Sequence, residues 1–191
     1  MGQKTEKICD RAKANLQKGN LENALRLFNE VLNREPSHPE SLRNKALILA
    51  MSGSEEKAEE FLLFAIEQQP KDDQLYQILG TLYHNHEEPS KALAQFRKAL
   101  ELNEDNPLAN KGIGMLYAHY YNEHKKAVSH FSKALELEDE PASADIFFNR
   151  GCSYMILQKM QKAEEDLQKA ADLDNQNAQE MLEKYFDRAK K

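Results

Sequence analysis

Histidines and cysteines are the side chains here best suited to metal binding or nucleophilic chemistry, and their spacing limits both. The run His84-Asn85-His86-Glu87-Glu88 holds two imidazoles and two carboxylates within five residues. On a helix, an i,i+2 pair points to different faces and cannot chelate as an i,i+4 pair does. These histidines read as solvated turn residues. His119 and His124 lie five apart, and His130 follows on the next segment, again without a ligand spacing. Cys9 and Cys152 are the two cysteines; too few for a disulfide framework, they are expected to remain unpaired. Gly112-Ile113-Gly114 lacks the third glycine, the preceding strand and the following Lys-Ser/Thr of a phosphate loop, so it reads as close helix packing. No Ser-His-Asp or Cys-His set stands out. The chain is expected to be non-catalytic, with no cofactor and no metal site.

Composition sets the elements that must carry whatever these residues do. With 7 Gly and 6 Pro in 191 residues, an all-β sandwich or barrel lacks the turn residues it needs. A net charge of −6 argues against a duplex nucleic-acid binder, which needs a basic face. No long apolar window is present, so no membrane insertion is expected. The polar start Met1-Gly2-Gln3-Lys4-Thr5-Glu6 is not a secretory signal, and a cytoplasmic location is the expectation.

The strongest signal is an internal repeat. Alanines followed four residues later by a large apolar residue recur as Ala24-Phe28, Ala58-Leu62, Ala92-Phe96, Ala127-Phe131 and Ala163-Leu167. The alanine spacings are 34, 34, 35 and 36. A small residue precedes each one: Ala12, Ala46, Gly80, Gly114 and Gly151. Tyr83, Tyr117 and Tyr154 sit three residues after the glycines. Each unit shows two amphipathic helical segments with apolar residues three or four apart. Asn106-Pro107, and Ser37 ahead of Pro39, mark helix starts; Gly19-Asn20 and Gly53-Ser54 mark turns. Phe96 and Tyr83 are expected to fill space beside Gly80 and Ala92. The acidic runs Glu55-Glu56-Lys57 with Glu59-Glu60, and Glu164-Glu165-Asp166, read as solvated outer faces.

This pattern resembles the tetratricopeptide repeat (TPR) family over residues 5–177, most closely in the third unit with Leu79-Gly80, Tyr83, Ala92, Phe96 and Ala99. The family's tryptophan is replaced by Ile8, Leu42, Tyr76 and Phe147, and Asn110 departs outright. The resemblance implies an all-α fold: a right-handed solenoid of helix-turn-helix hairpins, one TPR domain over 1–191. Its repeats run over 5–38, 39–72, 73–106, 107–141 and 144–177. One extra residue falls in the turn at 121–125, and about two more near Pro141-Ala142-Ser143. A capping helix at 178–191 closes the end, with Met181, Leu182, Tyr185 and Ala189 on its apolar stripe.

The resemblance also implies a concave groove lined by the first helix of each repeat. The candidate partner-binding residues are Lys13, Arg43, Asn44, Leu47, Met51, Gln77, Thr81, His84, Lys111, Met115, His119, Phe148, Asn149, Cys152 and Met155. Glu6, Glu40 and Asp145 sit at helix starts, where they complement the helix dipole. Arg43 and Lys111 are expected to help hold a partner segment, contributing little to folding. Some methionines are expected to pack between helices instead.

The family's carboxylate clamp for chaperone tails needs Lys and Asn, then Asn, then Lys and Arg, in three successive repeats. Starting at the first repeat those places hold Cys9, Lys13, Asn44, Gln74 and Ile78, so only Asn44 matches; the later frames match nowhere. The implied function is a non-catalytic scaffold or adaptor that binds a peptide or helical segment of another protein. The alternatives are a chaperone or assembly factor that shields a client segment, and a regulator that associates with copies of itself.

Overall fold

The computed structural model describes residues 2–53, 55–137 and 144–186. Ser54, the expected insertion near Pro141-Ala142-Ser143 and the far end of the capping segment, including Ala189, lie outside the described residues.

Eleven helices are present among the described residues, with no strand: α1 (Gly2–Gln17), α2 (Leu21–Arg34), α3 (Pro39–Met51), α4 (Glu55–Gln68), α5 (Asp73–Asn85), α6 (Pro89–Leu102), α7 (Pro107–His119), α8 (His124–Leu137), α9 (Ala144–Ile156), α10 (Met160–Asp172) and α11 (Gln176–Tyr185). They form five hairpins and a final single helix. Each helix packs on its chain neighbours, and the odd-numbered helices also pack on one another along one face. Contacts this local are what a stack of hairpins requires, because one hairpin cannot bury its apolar face alone.

The repeated small residues are where the backbones approach. A Cβ on Gly80 would lie 2.7 Å from the Phe96 ring, and one on Gly112 would enter the same ring from the next repeat. Phe96 is thus wedged between two glycines on successive odd helices. Gly114 makes the same room for Phe131, at 2.7 Å, so Gly112-Ile113-Gly114 is a packing feature. The turns inside the hairpins share one left-handed position. Gly19 (φ 75°) and Gly53 (φ 71°) hold it in the first two repeats, but Glu87 (58°), Asn122 (52°) and Gln158 (57°) hold it in the others.

Helix starts differ from expectation at one point. Asn106 caps α7 by accepting from the Ala109 N–H at 2.8 Å. At α3 the cap is His38, whose Nδ1 accepts from the Ser41 N–H at 3.3 Å, while Ser37 donates to Gln68. The imidazole reaches the exposed helix end that the shorter hydroxyl leaves for α4.

Two side chains assigned to solvated or anomalous positions are structural. Asp166 is buried and accepts two bonds from Arg150, at 2.7 and 2.8 Å, across the α9–α10 hairpin. Arg150 also donates to Ser132 on α8 at 2.9 Å, and its guanidinium lies near the Phe147 and Tyr154 rings. Burial opposes its charge, but Asp166 outweighs that and raises its pKa above the ordinary arginine value. Asn110 is buried where other repeats carry a larger apolar group; its amide donates to the Asn106 carbonyl at 3.1 Å, and its Oδ1 meets His130 Nδ1 at 3.0 Å.

The final helix starts at Gln176, two residues ahead of the expected 178, because Asn175 caps it by accepting from the Ala178 N–H. Met181 and Leu182 pack, as expected of a cap, on the cluster of Leu167, Ala170 and Ala178 that Phe147, Phe148 and Met155 also cover. Tyr185 does not; it lies exposed beneath Lys184, and Phe186 takes its place in the cluster.

Candidate functional site

The odd-numbered helices present their outward side chains to a common groove. A cavity of about 640 Å³ opens between α3, α5 and the start of α7. Arg43, Asn44, Leu47, Met51, Gln77 and Thr81 are among its lining residues, with Leu108 at the far wall. A second cavity of about 410 Å³ continues over α5, α7 and α9, lined by Gln77, Thr81, His84, Leu108, Lys111, Met115 and Asn149. The two share Gln77, Thr81, Asn85 and Leu108 and so read as one trough.

The walls are apolar groups interleaved with amides. Met51 is 62% exposed, Leu108 51% and Leu47 38%, high values for aliphatic side chains that could pack elsewhere. Asn44 donates to the Glu40 carbonyl at 2.7 Å, and Asn149 repeats that bond to the Asp145 carbonyl at 2.7 Å. Gln77 donates to Thr81 within α5. The amide N–H groups of Asn44 and Gln77 thus stay within their own helices, which leaves those two amide oxygens as acceptors for whatever enters the trough.

The comparison with described protein families matches "Psidin, N-terminal TPR repeats region" over residues 14–190. The chain belongs to this TPR family. Human tetratricopeptide repeat protein 13 is 36% identical over 100 residues, which are 52% of this chain and 12% of that much longer protein. Among solved structures, YrrB, described as a TPR protein with an unusual peptide-binding site, is 25% identical with a TM-score of 0.65, covering 93% of this chain and 90% of its own. MamA shares 23% identity at a TM-score of 0.64, with 97% of both chains covered. The APC/C hetero-tetramer Cut9-Hcn1 aligns at a TM-score of 0.78 and 19% identity, over 87% of this chain and 33% of that one. TPR domains are protein–protein interaction modules.

Within this TPR chain, the expected site residues separate into three groups. Arg43, Asn44, Leu47, Met51, Gln77, Thr81, His84, Lys111, Met115 and Asn149 line the trough. Lys13 and His119 lie beside it: Lys13 pairs with Asp10 and Glu40, and His119 Nε2 meets Asn149 Oδ1 at 3.2 Å. Phe148, Cys152 and Met155 pack toward the capping helix, with the Cys152 thiol 3.7 Å from Met181 Sδ. All three stay partly exposed beside the cap.

The cations are committed. Lys13 reaches Glu40 at 3.1 Å, Arg43 reaches Asp72 at 2.7 Å, and Lys111 faces Asp145 at 3.7 Å. Lys13–Glu40 and Lys111–Asp145 join one repeat to the next, and Arg43 reaches the residue that caps α5, so Glu40 and Asp145 do more than complement helix dipoles. Glu40 is held below the usual carboxylate range, its burial outweighed by Lys13 and Cys9. Reversing Arg43 and Lys111 would therefore also disturb the stacking, contrary to the expectation of little effect on folding.

His119 is exposed, whereas the other histidines are partly or fully buried. His84 is half-buried edge-on to Tyr120, its Nε2 enclosed without a hydrogen-bond partner among the described residues. Burial pushes its pKa down, aided by His119. His86 pairs with Glu55 at 2.9 Å. His124 is buried between Ser153 and Asn122, and His130 stacks on Tyr117. No cluster of three or more metal-ligating side chains exists among the described residues. Burial, with the nearby Glu40 carboxylate, pushes the Cys9 thiol up to about 11, and burial also raises Cys152, so neither offers a thiolate at neutral pH. No helix among the described residues is long and apolar enough to cross a membrane.

Sequence reasoning missed the trough's far wall. Asn103 and Asn106, both in the α6–α7 link, donate to Asp73 at the start of α5, at 3.0 and 2.7 Å. These residues sit in the link between repeats, where periodicity of the helices carries no signal.

Proposed function

We propose that this protein is a non-catalytic adaptor that holds an extended segment of a partner protein in the trough over α3, α5 and α7. The observation that carries the reading is the continuous open channel floored by exposed Leu47, Met51 and Leu108. Apolar groups of this size left in a concave channel are the usual mark of a binding surface. The amide oxygens of Asn44 and Gln77 suit the N–H groups of an extended main chain. The peptide-binding site reported for YrrB supports the same reading by likeness of fold.

The test selects binders from a displayed random-peptide library and assays them on two double variants. Met51→Glu with Leu108→Glu changes exposed groove residues, so folding should move within about ±0.5 kcal/mol. Glu60→Lys with Glu165→Lys changes the even-numbered helices. Selected peptides should keep their affinity for the second variant and lose about tenfold or more on the first. The reading fails if no peptide is enriched, or if the even-helix variant is the one that loses binding.

A further inference from the structure

The outer face of α4 departs from a rule that the other even-numbered helices keep. Five and six residues after each repeat's alanine, those helices hold Asn29-Glu30, Arg97-Lys98, Ser132-Lys133 and Gln168-Lys169, all polar or charged. In the second repeat the same two positions are Leu63 and Phe64, which stay 48% and 43% exposed. Ala58, Leu62 and Ala65 already fill the buried side of α4. The Phe64 ring leans on Phe61 at 5.9 Å between centroids, and the Lys45 ammonium covers Phe61 at 4.2 Å. Two large apolar groups side by side at solvent-facing positions make a patch rather than scattered exposure.

The borders of the patch are acidic, on a helix that carries five glutamates and one lysine. Glu56, Glu60, Leu63 and Glu67 follow at i, i+4, i+7 and i+11, one stripe of the helix, and all are exposed. Glu55 and Glu59 turn aside to His86 and Tyr83. Glu56, Glu60 and Glu67 pair with no cation among the described residues. On α2 and α6, by contrast, Glu30 meets Arg34 and Glu101 meets Lys98. Like charges at i,i+4 repel, so Glu56 and Glu60 gain from a cation supplied from outside.

We infer that this face of α4 docks a basic amphipathic helix of a partner protein, with its apolar stripe on Leu63 and Phe64 and its lysines or arginines against Glu56, Glu60 and Glu67. A helix suits the surface because the middle of α4 has no unpaired main-chain groups to receive an extended chain. A helical occupant satisfies its own main chain and packs ridge into groove. A second copy docked α4 to α4 would set one acidic stripe on another. The surface is separate from the trough and takes a different ligand. Isolated segments under about 12–15 residues barely hold a helix, so short extended peptides do not report on it.

The experiment titrates helix-stapled peptides of about 20 residues onto the full chain. Each carries one stripe of Leu and Ile, flanked either by Lys and Arg or by Glu and Asp. The basic set should bind at least about tenfold tighter than the acidic set. Its affinity should fall several-fold between roughly 50 and 500 mM salt. Leu63→Gln with Phe64→Glu restores the polar character of the sister repeats with good helix formers and keeps the negative charge. That variant should lose about tenfold or more in affinity with helix content unchanged. Glu56→Gln, Glu60→Gln and Glu67→Gln together should remove most of the salt dependence. Met51→Glu with Leu108→Glu, in the trough, should bind the basic set as the wild type does. Equal binding to the Leu63 and Phe64 variant means charge attraction alone and overturns the inference, as does salt dependence that survives the glutamine variant. Failure of every basic peptide, or loss on the trough variant, overturns it too. So does a concentration-dependent mass of the chain that the Leu63 and Phe64 variant abolishes, because a second copy is then the occupant. None of these results bears on extended peptides in the trough, so the adaptor reading stands or falls separately.

Discussion

Replacing Asp166 by Asn isolates the most committed electrostatic contact in the chain. Arg150 and Asp166 exchange two bonds of 2.7 and 2.8 Å, and their side chains are only 16% and 4% exposed. Asn keeps the shape and one acceptor oxygen but turns an N–H₂ toward the guanidinium, leaving a buried cation with no counter-charge. Breaking a buried pair from one side costs about 3–5 kcal/mol, and the retained acceptor places this case near 3. In a stack of hairpins the loss is local. Amide hydrogen exchange should therefore rise in α9, α10 and α11 by roughly a hundredfold, while α1 to α6 stay near wild type. Replacing both partners, Arg150→Met with Asp166→Leu, removes the stranded charge and should recover most of the stability. A single variant that costs less than about 1 kcal/mol in urea unfolding, or a double variant as damaged as the single one, refutes the argument.

Gly114→Leu drives a side chain into the Phe131 ring and should cost at least the roughly 1–3 kcal/mol of ordinary overpacking, read as a lower urea midpoint. Glu87→Gly and Gln158→Gly relieve left-handed turn positions and should each stabilise by up to about 1 kcal/mol, measured by thermal unfolding. Burial holds His84 and His130 below the ordinary histidine range, so the unfolded chain binds more protons than the folded one near neutrality. Their stability is complete above pH about 6.5 and declines as pH falls through that value; His84→Gln with His130→Gln should flatten that slope in urea midpoints taken from about pH 8 to 5.

The repeat phase was legible because packing demands it. Gly80, Gly114 and the alanines recur every 34 to 37 residues since a Cβ or a larger group there meets the facing ring. Half of the trough followed from the same phase. The charge pairs did not. Arg43 and Asp72 lie 29 residues apart, in an inner-helix position and a linking loop, and linear charge patterns do not show which way a long side chain leans. A cation near the fifth place of one repeat followed by a carboxylate at the start of the next was the available signal. Arg150 and Asp166 are hidden differently: Asp166 ends an acidic run, and only the roll of α10 against α9 turns it inward while Glu165 stays in solvent. That Phe148, Cys152 and Met155 would also lie beside the cap was not legible, because a terminal helix has no repeat of its own from which to read what it packs on.

The Phe96 ring belongs to two repeats at once. It needs the slot made by Gly80 in its own hairpin and the one made by Gly112 in the next. Solenoids lengthen and shorten over generations by gaining and losing whole units, but this joint is not a neutral cut point. A unit inserted between the third and fourth repeats without glycine at the equivalent of Gly112 would collide with the ring, and excision of the fourth would set Asn149 of the fifth against it in place of Gly112. Adding or removing a unit at this joint should therefore cost more stability than doing so at a joint whose ring is seated by one repeat alone.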